Sequence, residues 1–189
     1  MPNYCNNIAI LTHTNPAMID RALMAFNDGS LLQEFIPCPQ ELLDTTSGRV
    51  GYGTPEQDAL EAQHASNIEK YGYTTWYEFC INEWGTKWDI VAQDAELDEG
   101  ELRISFDTAW SPPLEAYDKL RDMGFYIKAY YYEPGCVFAG IWEDGCEDAY
   151  SEWNGSKGAK EMLPEVLDEM FNIVENLEMW EEDESAEMN

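Results

Sequence analysis

A chain of 189 residues with 44 % hydrophobic and 13 % aromatic content can bury a real core in one large domain, which excludes a disordered acidic segment. Its 38 acids against 10 bases give a formal net charge of −28. A field of that sign repels phosphate backbones, so it speaks against direct nucleic-acid binding and favours basic surfaces.

Residues 5–12, CNNIAILT, predict a strand with Ile8 and Ile10 on one side and Ala9 and Leu11 on the other. A helix follows. Thr14 or Asn15 suits its cap, Pro16 its first turn and Asp28-Gly29 its end, while Met18, Ala22, Leu23 and Phe26 form an apolar stripe. The apolar stretch from Leu31 to Pro39 is broken by Pro37 and Pro39 and reads as a connector. Residues from about 40 to 84 turn polar and read as a helical insertion, with helices predicted over Pro55–Tyr71 and Thr74–Glu83.

Regular alternation then returns. Trp88–Asp94 predicts a strand, LDEG a turn, and ELRISFD a second strand. Ser111 and Pro112 suit the start of a helix that Gly124 closes. FYIKAYYY and CVFAGIW predict two more strands around a Pro134-Gly135 turn, with a short strand near Cys146–Tyr150. Leu163, Leu167, Met170, Val174 and Leu177 share one helical face, predicting a single long helix over about 158–180. The acidic tail 181–189 reads as disordered.

Without the insertion, the order is strand, helix, strand, strand, helix, strand. That is the split βαβ order, so the expected fold class is α+β. It is a ferredoxin-like antiparallel sheet over about 85–150, with the helical insertion and an added C-terminal helix, all in one compact domain over 1–180.

The five cysteines are odd in number and form no CxxC motif. With no secretory leader at the N-terminus, they predict free thiols in a reduced, cytoplasmic protein. No apolar run approaches the ~18 residues of a membrane span. His13 and His64 lack ligand spacing, so no metal or cofactor is expected. No phosphate loop, HExxH or nucleophile elbow is present, and no catalytic residue is assigned.

Three aromatic features invite a functional reading. In NEWGTKWD, residues 82–89, Trp84 and Trp88 flank a turn that carries Lys87. With Trp110 they read either as corner plugs of the core or as a small ligand pocket with Lys87 as an anion handle. In FDTAWSPP, Pro112 and Pro113 remove N–H donors that a phosphate site at the helix start would use. Tyr126, Tyr130, Tyr132, Phe138 and Trp142 are candidates for one base-stacking sheet face. The charge opposes that reading, as does the C-terminal apolar stripe, which needs this face for cover.

The strongest signal outside the core is acidic. From Glu161 onward there are 11 of the 38 acids and no base. Glu161, Glu165, Asp168, Glu169, Glu175 and Glu178 would form negative points ~5–6 Å apart on a helix, comparable to a row of phosphates.

PNYCNN, WGTKWD, FDTAWSPP and YYEPGCVFAGIW, in that order, resemble the YubB-like family of plasmid and phage proteins across nearly the whole chain. The resemblance implies a ferredoxin-like domain in the C-terminal part and a mobile-element origin. It carries over no catalytic residue. The expected function is that of a non-enzymatic interaction protein. It would bind and inhibit a basic host protein that handles nucleic acid or serves defence, by DNA mimicry. The alternative is a small-ligand or nucleotide-binding protein built on the Trp84–Trp88 turn.

Overall fold

The computed structural model describes residues 3–187. Strand β1 (Tyr4–His13) alternates buried and half-buried side chains and becomes the centre of the sheet. Asn15 caps α1 (Pro16–Asn27) by accepting a hydrogen bond from Ala17 N. The buried face of α1 is Ile19, Ala22, Ala25 and Phe26; Met18 and Leu23 sit at its margin.

The predicted connector is helical. Asp89 receives the N–H groups of Leu32 and Gln33 and so anchors α2 (Leu31–Phe35), and α3 (Gln40–Leu43) starts directly after Pro39. In the insertion, Thr54 caps α4 (Pro55–Tyr71) and Gly72, at φ 80°, ends it. Asn67 is its one buried residue among those described, and donates to Thr45 Oγ1 and Thr74 O. Helix α5 (Trp76–Glu83) leads into the tryptophan turn.

Strand β2 (Val91–Asp98) starts three residues later than predicted, because residues 85–90 are engaged with β3 and α2 instead. A tight turn at Glu99-Gly100, both at positive φ, joins it to β3 (Glu101–Ala109). Ser111 does not cap α6 (Leu114–Asp122); its hydroxyl donates to Gly85 O, and Pro113 stands at the cap position. Strands β4 (Phe125–Glu133), β5 (Phe138–Glu143) and β6 (Cys146–Ser151) complete the sheet.

The six strands are antiparallel in the order β2-β3-β1-β4-β5-β6. The first four, with α1 and α6, form the ferredoxin-like βαββαβ unit, and β5 and β6 widen it. One face carries Leu11, Ile104, Phe106 and Ile127 under α1, α2, α5 and α6.

The other face carries Tyr130, Tyr132 and Ala139 under the C-terminal segment. That segment is three helices, not one: α7 (Gly155–Met162), α8 (Glu165–Phe171) and α9 (Ile173–Glu187). Pro164 forces Leu163 into extended backbone, and Asn172 adopts the left-handed conformation at φ 50°. The apolar stripe survives both breaks. Leu163, Leu167, Met170, Val174 and Leu177 all pack on the second core. Residues 181–187, expected to be disordered, continue α9; Met188 and Asn189 lie outside the described residues.

Candidate functional site

The tryptophan turn is bolted to the end of β3. The Thr86 hydroxyl, fully buried, donates to Ala109 O and accepts from Ala109 N, each at 3.1 Å. Ser111 Oγ donates to Gly85 O at 2.6 Å. Gly85, at φ 80°, lets this happen, since a Cβ there would stand 3.2 Å from Leu114 N.

Trp84 and Trp110 meet different fates at this junction. Trp84 is 3 % exposed; its indole N–H donates to Ile36 O at 2.9 Å and its ring meets Phe79 edge-on. It is a core plug. Trp110 is 40 % exposed and holds a positive φ of 71°, and its backbone N–H donates to Asn3 O. The plug reading therefore fails for Trp110.

Lys87 lies among rings. Its Nζ stands 4.7 Å from the centroid of Trp88, 5.0 Å from Trp110 and 6.0 Å from Tyr77. Among the described residues it joins no ion pair. The nearby Asp89 is committed elsewhere, accepting from the N–H groups of Leu32, Gln33 and Ile90. Burial raises the Asp89 pKa above the ordinary carboxylate range despite those bonds. The geometry therefore differs from an anion handle, because the ammonium is turned onto aromatic faces. Gly85 and Ser111 also line a cleft of about 350 Å³ with Pro112, Phe138, Glu147 and Tyr150, but Trp84, Lys87, Trp88 and Trp110 do not line it.

The C-terminal acids do not form one row. Glu161 lies on α7, 3.9 Å from Lys157; Glu165, Asp168 and Glu169 lie on α8; Glu175 and Glu178 lie on α9. Asp168 is a structural group, with Oδ1 accepting from Val174 N at 2.7 Å across the α8–α9 break. Glu165, Glu169, Glu175 and Glu178 are exposed.

Sequence reasoning missed Glu181, which it placed in a disordered tail. Its carboxylate accepts from Ser156 N at 2.8 Å and Ser156 Oγ at 2.7 Å, so it latches α9 to the start of α7. Those two bonds hold its pKa below the ordinary range. Also missed were the acidic sheet edges, with Asp94, Glu96 and Asp98 on β2 and Glu147 and Asp148 on β6, all exposed. The alternation in VAQDAELD was the signal that could have found the first group.

The base-stacking platform is closed over Tyr130 and Tyr132, while Tyr126 on the same face stays 42 % exposed and donates to Glu143. Tyr132 stacks on Trp153 at 6.3 Å and meets Phe171 at 6.0 Å, so α7–α9 cover it. The register puts Phe138 and Trp142 on the opposite face, opposite Glu133 and Ala129, and Trp142 packs against Tyr117.

His13 and His64 hydrogen-bond to the Met123 and Thr46 carbonyls. Among the described residues no group of three or more His, Cys, Asp and Glu side chains could hold a metal ion, and no helix is long and apolar enough to cross a membrane. Cys5, Cys38 and Cys80 are buried free thiols, and Cys136 and Cys146 exposed ones. Cys136 contributes its backbone N–H to the buried Glu133 carboxylate, which also accepts from Gly135 N.

A search of curated proteins finds no match to this chain. A crystal structure of the protein api92 from Yersinia pseudotuberculosis aligns over 82 % of this chain and 99 % of that one, with 12 % identity and a TM-score of 0.40. Residues 83–144, which hold the tryptophan turn, α6 and strands β2 to β5, match the family model described as the ferredoxin-like domain in Api92-like protein.

Proposed function

We propose that this chain is a non-enzymatic acidic interaction protein that binds the basic surface of a nucleic-acid-handling host protein and competes with nucleic acid there. One observation carries the reading: with all ten bases counted, a net charge of −28 remains. Arg21, Lys119, Arg121, Lys128 and Lys157 are each tied to carboxylates. Lys87 rests on aromatic rings, and Arg49 lies over Tyr52. Acids meanwhile line both sheet edges and the outer sides of α8 and α9. Such a surface attracts basic partners and repels phosphate. The resemblance of its four motifs to the YubB-like family of plasmids and phages supports a role for a mobile element acting on host defence in the cytoplasm.

The test is capture of a partner from host extract at low salt, followed by competition. The purified partner should lose bound oligonucleotide as this chain is added. The loss should fade toward 1 M salt, where the Debye length shrinks to about 3 Å. Undisturbed oligonucleotide binding would contradict the proposal, and so would micromolar binding of the oligonucleotide by this chain itself.

A second reading, a small-ligand protein built on the aromatic turn, draws support from the exposed ring of Trp110. A nucleotide would have to approach against the same negative field.

A further inference from the structure

We propose that Tyr77, Trp88 and Trp110 form a cage for an alkylammonium group, and that Lys87 occupies it in cis. The inference is independent of the partner reading above. Aromatic faces carry negative potential, and a cation within about 6 Å of a ring centroid is attracted to it. All three rings meet that distance around Lys87 Nζ, at 4.7, 5.0 and 6.0 Å. In a chain with 38 acids a lysine has many carboxylates to choose from, yet this one lies over rings.

The frame is built rather than adventitious. Thr86 fixes the turn to Ala109, Ser111 fixes Gly85, and Asn3 O holds the positive-φ backbone of Trp110. Trp110 and Tyr77 are 40 % and 37 % exposed, so the cage opens to solvent.

Lysine is a strongly hydrated point charge, and desolvating it onto rings forfeits water contacts. A methylated or quaternary ammonium is more weakly hydrated and presents methyl groups to the ring faces. It should therefore displace Lys87, and the surrounding negative field should concentrate it. Such a group reaches the cage either as a free quaternary amine or as the methylated lysine side chain of a protein.

Proton NMR reads the cage directly. In the wild type the Lys87 ε-methylene protons should be shifted upfield by ring currents, and Trp110→Ala should return them toward their ordinary position. Tetramethylammonium and Nα-acetyl-trimethyllysine amide serve as probes for the two sources. Their methyl protons should shift upfield saturably with Lys87→Ala, at about tenfold lower concentration than with the wild type. The shift should vanish in Lys87→Ala/Trp110→Ala and in Lys87→Ala/Tyr77→Ala, two surface variants that check each other's folding. Tighter binding of the amino-acid probe assigns the cage to a protein side chain, and tighter binding of tetramethylammonium to a free amine. Unshifted Lys87 protons, or no saturable shift of either probe with Lys87→Ala, would overturn the proposal.

Discussion

The two faces of the sheet are closed by different means. On one, α1, α2, α5 and α6 bring Phe26, Leu32, Trp84 and Leu120 onto Leu11, Ile104 and Ile127 in one continuous apolar core. On the other, Trp153 just before α7, Leu167 of α8 and Ile173 of α9 rest on Tyr130, Tyr132 and Ala139, and carboxylates tie the helices together. Apolar burial stabilises at roughly 25 cal/mol per Å² without regard to ionisation, whereas a carboxylate latch depends on it. The difference sorts the acids. Asp168 and Glu181 work inside the structure, while Glu165, Glu169, Glu175 and Glu178 face solvent and are available to a partner.

The sharpest contrast should come from the first face. Trp84→Ala should cost about 3–5 kcal/mol in urea unfolding, because it removes a buried ring and orphans the Ile36 carbonyl. Trp110→Ala, at the surface, should cost about 1 kcal/mol or less. Equal losses would place both rings in the core and remove the distinction between plug and cage.

Next in size is Gly140→Ala. A Cβ there would collide with the Tyr131 hydroxyl, which crosses over β5 to bond Glu147, and would stand 2.9 Å from the Asp148 carbonyl oxygen. The displaced ring should cost about 1–3 kcal/mol, and an unchanged melting temperature would show that it has room to move.

On the second face the break between α8 and α9 depends on the left-handed Asn172. Asn172→Ala should lower stability by about 1–2 kcal/mol, and Asn172→Gly should do less harm. If alanine were the better tolerated of the two, the helices would be continuous after all.

The smallest effect is a local one with a definite sign in pH. The Glu181 pKa is lowered by the Ser156 N–H and then by its hydroxyl, so the latch contributes above the ordinary carboxylate range. It is lost as pH falls through the depressed folded value. Protection factors of the α9 amides, taken against the intrinsic exchange rate at each pH, should therefore fall on acidification while those of β1 hold, and Glu181→Gln should flatten that pH dependence. Protection factors in α9 that do not change with pH would remove the latch.

The sheet was legible because its signals are local. Alternation in ELRISFD, the Pro134-Gly135 turn and the capped stripe of α1 each specify one element. The βαββαβ order then leaves few topologies. The C-terminal stripe misled because periodicity reports which side faces the core, not whether the backbone is continuous. Pro164 was visible as a breaker, but Asn172 has no sequence signal that separates a left-handed break from an ordinary helical residue. The site was legible only in composition. NEWGTKWD marked the turn where Lys87 lies among aromatic rings. Whether each tryptophan turns inward or outward depended on partners distant in sequence, Ile36 for Trp84 and Asn3 for Trp110. The same limit hid the Glu181–Ser156 latch, whose residues lie 25 positions apart.

The central claim is that the outward acids steer a basic partner. The direct test is the association rate of the captured partner with two proteins across a salt series. One is the wild type and the other carries Glu165→Gln, Glu169→Gln, Glu175→Gln and Glu178→Gln. These positions are exposed, so each substitution should leave stability within about 0.5 kcal/mol. At low salt the variant should associate more slowly than the wild type, and the two rates should converge as salt screens the field. Identical rates and identical salt slopes would contradict the claim and leave the charge of these helices a matter of solubility.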